Sequence, residues 1–102
     1  MAGNHLYIIQ SAQTGAFKIG RSDDPTKRLN QLQTGSPHSL RLILVSPDDG
    51  ELEKSIHNKL IRYRLAGEWF KEEGIGNIPD TVWQHIFPYY LEHPDWWKGL
   101  SE

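Results

Sequence analysis

Two short apolar stretches separated by five turn-forming residues place the strongest constraint on this chain. Leu6-Tyr7-Ile8-Ile9-Gln10 and Ala16-Phe17-Lys18-Ile19-Gly20 flank Ser11-Ala12-Gln13-Thr14-Gly15, the pattern of a β-hairpin. Side chains alternate across a strand, so pairing Ile8 with Ile19 gathers Leu6, Ile8, Phe17 and Ile19 on one face. The other face then carries Tyr7, Ile9, Lys18 and Gly20. A slip of one residue would mix Tyr7 and Lys18 into the apolar set, and burial therefore selects the first register. Tyr7 stands opposite Gly20 and diagonal to Lys18 in that arrangement.

Asp24-Pro25 supplies an N-cap and a first-turn proline, and the helix they start is expected to run through Arg28, Leu29 and Leu32 to about Thr34, ended by Gly35. Leu29 and Leu32 are expected to face inward. Leu40-Arg41-Leu42-Ile43-Leu44-Val45 has the length and branching of a buried strand, predicted to be central in the sheet. Leu52, Ile56, Leu60 and Tyr63 recur at helical spacing and predict one amphipathic helix from Gly50 to Arg64. Gly67-Glu68-Trp69-Phe70 reads as a short extended return to the sheet, and Glu72 to Pro79 as a loop. From Asp80 onward Val82, Trp83, Ile86, Phe87, Tyr90 and Leu91 are again helical, with Pro88 splitting the helix. The expected architecture is α/β of the α+β kind. A small three-stranded antiparallel sheet flanked by helices forms a module over residues 1–71, and an aromatic helical extension over 72–102 packs on or beside it.

A chain of 102 residues supports one core. The absence of cysteine excludes a disulfide scaffold, a thiol nucleophile and thiolate zinc binding, so any metal chemistry must use carboxylates and histidines. No run of 18 apolar residues is present, and Met1-Ala2-Gly3-Asn4-His5 lacks the flank of a signal peptide. A cytoplasmic protein without a membrane partner is expected. The net charge of −2 hides an asymmetry: residues 1–71 hold ten Lys and Arg against seven Asp and Glu, while 72–102 hold one against six. The first part can meet phosphate. Trp83, Phe87, Tyr90, Trp96 and Trp97 are expected to pack on the domain, the alternative being a surface for self-association or a protein partner.

The ordered set of Tyr7 on a first strand, Lys18-Ile19-Gly20 on a second, Arg28 in the next helix and Glu53 in a later one resembles the GIY-YIG nuclease superfamily. The likeness covers Leu6 to Phe70. Its pattern resembles that of a subgroup of small phage and bacterial members with a KIG second motif, a Leu-Glu-x-x-x-His helix, here Leu52-Glu53 to His57, and a closing Glu-Trp-Phe. The resemblance implies a metal-dependent endonuclease acting on nucleic acid, DNA ahead of RNA, with water as nucleophile and no covalent intermediate. It makes Tyr7, Lys18, Arg28 and Glu53 the catalytic set. Tyr7 would position or deprotonate the water, Lys18 would stand in for a second tyrosine, and Arg28 would bind the scissile phosphate. Glu53 would hold one Mg²⁺ or Mn²⁺. Gly20, Arg21, His57 and Glu68 fall at substrate-binding positions.

Elementary chemistry agrees with those roles. Phosphodiester hydrolysis needs an activated water, charge neutralisation at the phosphate and a stabilised leaving oxygen. Nearby cations would favour tyrosinate and a neutral Lys18, and Gly20 would leave room for a phosphate to approach the sheet. On spacing alone, Glu53 and His57 also fit a surface pair on a solvated helix. Two other functions stay open: a catalytically inactive nucleic-acid-binding module, and an adaptor that binds proteins through the aromatic segment.

Overall fold

The computed structural model describes residues 4–46 and 48–78. Its strands are β1 (His5–Ser11), β2 (Phe17–Ser22), β3 (Leu40–Ser46), β4 (Arg64–Ala66) and β5 (Trp69–Phe70). Its α-helices are α1 (Pro25–Thr34) and α2 (Glu53–Lys59), with 3₁₀ turns at Gly50–Leu52, Ile61–Tyr63 and Glu72–Asn77. All strands join one antiparallel sheet in the order β3-β1-β2-β5-β4.

The hairpin has the expected register, Ile8 opposite Ile19 and Tyr7 opposite Gly20. Gly15 turns the chain at φ 76°, and the Gly15 N–H donates to the Ser11 carbonyl at 3.1 Å. Leu6, Ile8, Phe17 and Ile19 are fully buried in the core with Leu44, Ile56, Leu60, Phe70 and Ile78. Each such side chain contributes roughly 1.5–3 kcal/mol on burial. A one-residue slip would turn four of them outward, which explains why this register prevails.

Asp24 caps α1 as expected, its carboxylate accepting from the Lys27 N–H at 3.1 Å with Pro25 in the first turn. Leu29 and Leu32 are half-buried, shallower than an inward-facing pair. The Gln33 side chain ties α1 to the start of β3: its amide donates to the His38 carbonyl at 2.8 Å and accepts from the Leu40 N–H at 2.7 Å.

Three expectations need correction. The sheet has five strands, because the return at Trp69–Phe70 pairs with β2 and Arg64–Ala66 adds a further edge. β4 is exposed throughout, so no alternation of apolar residues announces it. β3 lies at an edge, not at the centre. Its apolar content reflects cover over its faces, with α1 packed against it and Ile43 and Leu44 in the core, and face burial carries no information about how many strands flank it. The helix expected over Gly50 to Arg64 is divided into a 3₁₀ turn, the seven-residue α2 and a second 3₁₀ turn. The apolar stripe survives the division, with Ile56 and Leu60 buried and Leu52 and Tyr63 packed against them.

Residues expected to form a loop after Lys71 instead include the 3₁₀ turn Glu72–Asn77. Gly74 lies so close to Tyr63 that a Cβ there would come within 2.8 Å of the ring, and Ile78 joins the core. The aromatic helical extension expected from Asp80 lies outside the described residues. Among the described residues no helix is long and apolar enough to cross a membrane.

Candidate active site

β1 and β2 present Tyr7, Lys18 and Gly20 on the sheet face opposite Leu6, Ile8, Phe17 and Ile19. The Tyr7 ring lies directly over Gly20: a Cβ at that position would sit 2.5 Å from the phenol oxygen. The room expected to admit a phosphate is therefore filled by the phenol, and glycine at position 20 is what lets that ring lie flat against the sheet. Tyr7 is only 2% exposed.

Arg28, in the first turns of α1, lies close enough to the Tyr7 phenol to act on it by hydrogen bonding and charge; its guanidinium also donates to the Gln31 side chain at 3.5 Å, and the residue is exposed. Arginine has no acceptor, so the phenol oxygen accepts and its own O–H remains to donate onward. Lys18 is buried and forms an ion pair with Glu68. Glu68 immediately precedes β5, and Trp69 pairs with Lys18 across the ladder. The amine, expected to act beside Tyr7, is paired with a carboxylate instead.

α2 packs on the Ile19 face of the sheet, and Glu53 is its first residue. Glu53 is half-buried and lies, with Glu68, within electrostatic range of the Tyr7 phenol. One turn further on, His57 Nε2 lies 2.8 Å from the Ile19 carbonyl, and its ring meets Phe70 edge-on at 5.1 Å. Glu53, Lys54, His57, Arg64 and Glu68 are among the residues that line one hollow of about 390 Å³. Arg21 is exposed and by strand alternation belongs to the Ile19 face, so it does not share the Tyr7 face.

Burial pushes the Tyr7 pKa above its ordinary value of 10.0; the Arg28 hydrogen bond and charge pull it down, and Glu68 and Glu53 push it up again. Tyrosinate, expected from the surrounding cations, is disfavoured because desolvation and two carboxylates outweigh one guanidinium. A raised folded-state pKa means that stability is fully present below the unfolded value and is lost as pH rises through the folded one. Chemical denaturation of the wild type and of Tyr7→Phe from pH 8 to pH 11 checks this: the wild type is expected to lose more stability above about pH 10 than the variant, which has no phenol to ionise.

Glu53 is a carboxylate with no hydrogen bond or ion pair to another described residue, which suits a hard divalent cation completed by waters and substrate oxygens. Among the described residues no three His, Asp or Glu side chains are grouped to hold a metal without such help. The Lys18–Glu68 partnership was not foreseen; the signal for it is the pairing of β5 with β2, which sets residues beside Trp69 next to Lys18.

The fold and this cluster define a small α+β domain with a charged site built across the edge of its hairpin. Residues 4–87 match the model of the T5orf172 domain, and the chain belongs to that family, which occurs in phage proteins and is associated with nuclease-related families. No curated protein and no solved structure matches the chain.

Proposed function

We propose that this chain is a metal-dependent endonuclease of the GIY-YIG kind that hydrolyses nucleic-acid phosphodiester bonds, DNA ahead of RNA. The observation that carries the reading is the convergence on the Tyr7 phenol of Arg28, Glu53 and Glu68, with Lys18 joined through Glu68. These are residues from five separate parts of the chain, and structural roles alone do not require them to meet. Membership in a family associated with nucleases supports it.

In this reading Arg28 neutralises a phosphate oxygen and the Tyr7 O–H donates to the reacting group or its water. Lys18 contributes positive charge once substrate competes with Glu68 for it. Glu53 would hold Mg²⁺ or Mn²⁺, which when bound supplies Lewis-acid polarisation of the phosphate and offsets the carboxylate charge near Tyr7. A non-cutting nucleic-acid-binding module is the second reading, favoured by the Lys18–Glu68 ion pair, which occupies the amine.

The test is incubation of the purified chain with single-stranded, duplex and branched DNA and with RNA, each with Mg²⁺, with Mn²⁺ and with chelator. Cutting of DNA that requires the cation is the expected result. Salt-sensitive binding without cutting under every condition would select the second reading.

A further inference from the structure

β5 is too short to pair the whole of β2. Beyond Lys18 and Trp69 the ladder carries one more bond, from the Ile19 N–H to the Glu68 carbonyl at 3.2 Å. The chain then turns away through Gly67 at φ 55°. In an antiparallel pair the N–H and carbonyl of one residue face the same neighbour, so the Ile19 carbonyl is left without a strand partner. His57 takes that place, with Nε2 at 2.8 Å. A carbonyl only accepts, so Nε2 carries the hydrogen, in the neutral ring and in the imidazolium alike.

Ile19 sits between Lys18 and Gly20, the seat of the Tyr7 ring. Glu53 lies one turn before His57, roughly 6 Å along the axis. A single bond therefore joins the helix that carries the carboxylate to the strand that carries the amine and seats the phenol. Burial of Ile56 in α2 and of Leu60 just beyond it decides which face of the helix meets the core, but burial is non-directional and sets the rotation of a seven-residue helix less closely than a hydrogen bond does. A hydrogen bond from a ring braced against Phe70 supplies that closer setting.

We propose that His57 is a positioning residue: by donating Nε2–H to the Ile19 carbonyl it fixes the rotation of α2 and sets Glu53 against Tyr7 and Lys18, without touching substrate. The proposal rests on the nuclease reading of the same site.

The experiment compares the wild type with His57→Leu, which keeps bulk and loses the donor, and with His57→Gln, whose amide places a donor at similar reach. His57→Ala, which also has no side-chain donor, replaces His57→Leu if that chain does not fold. The donor-less variant is expected to keep DNA affinity in chelator within about twofold and to lose about 10–100-fold in kcat or in Mn²⁺ affinity measured by calorimetry. It is also expected to shift the Gly20 amide nitrogen resonance, because that peptide contains the Ile19 carbonyl. His57→Gln is expected to recover most of each loss with the pH–rate profile of the wild type. The proposal is overturned if the donor-less variant matches the wild type in kcat and Mn²⁺ affinity, or if His57→Gln recovers nothing. It is also overturned if DNA affinity in chelator falls, which would make His57 a substrate contact, or if His57→Gln loses one limb of the pH profile, which would make it an acid or base. Should the wild type bind Mn²⁺ but cut nothing, the nuclease reading fails and the calorimetric and Gly20 readouts still decide the role of His57. Absence of Mn²⁺ binding by the wild type sinks both.

Discussion

Replacing Glu53 by alanine is expected to cut nucleic-acid cleavage by roughly 10²–10³-fold or more, in line with removal of a principal electrostatic group from a site of this kind. The physical reason is that, among the described residues, Glu53 is the carboxylate beside the Tyr7 phenol whose side chain has no partner, while its neighbour Glu68 is engaged by Lys18. Loss of Glu53 therefore leaves the proposed cation without its protein anchor. The fold should survive. Glu53 is half-buried and its side chain makes no hydrogen bond or ion pair among the described residues, its backbone bond to Gly50 being kept in the variant, so the change in stability is expected to stay near the few tenths of a kcal/mol typical of surface substitutions. A favourable position in the first turn of α2 adds at most a similar amount. Single-turnover cleavage at saturating Mn²⁺, with thermal unfolding of the same samples, separates the two effects. Full activity in a folded variant would remove Glu53 from the chemistry.

Arg28→Ala is expected to have the next largest effect, lowering kcat by about 10²-fold while DNA affinity falls by less than tenfold. Arg28 is exposed, acting on Tyr7 and bonded to Gln31 on its own helix, so it can reach a phosphate without disturbing the core. One phosphate contact is a small part of ground-state binding but a large part of charge neutralisation in the transition state. The slope of binding against salt should fall by about one counterion. Arg28→Lys should restore charge but not the forked geometry, and so only part of kcat. Equal losses in binding and turnover would mean that Arg28 merely holds substrate.

The parts of this protein that were legible in its sequence are those set by local periodicity. Leu6, Ile8, Phe17 and Ile19 fix the hairpin register through the pleat, and Asp24 with Pro25 fixes the start of α1. Those two elements already bring Tyr7, Lys18 and Arg28 to one side of the sheet. What the sequence did not disclose depends on contacts between distant segments. β4 is a three-residue exposed strand, β5 is two residues, and neither is long enough to show alternation. The edge position of β3 is a matter of neighbours, and neighbours leave no trace in its composition. The same limit explains the chemical misreading. Tyr7 was expected to ionise because cations were counted, whereas its burial and the carboxylates of Glu68 and Glu53 arise from pairings that only the folded chain contains. Glu68 shows this most clearly, since its partner Lys18 stands 50 positions away.

That separation also bears on the order in which the molecule assembles. The β1–β2 hairpin closes through five intervening residues and can form early, whereas the β2–β5 pairing must close a far longer loop and is expected to come last. On a ribosome, synthesis proceeds from the N-terminus, so the nascent chain would expose a finished hairpin long before Trp69 and Phe70 emerge. A site that needs the late pairing stays unassembled until Trp69 and Phe70 have emerged and returned to β2.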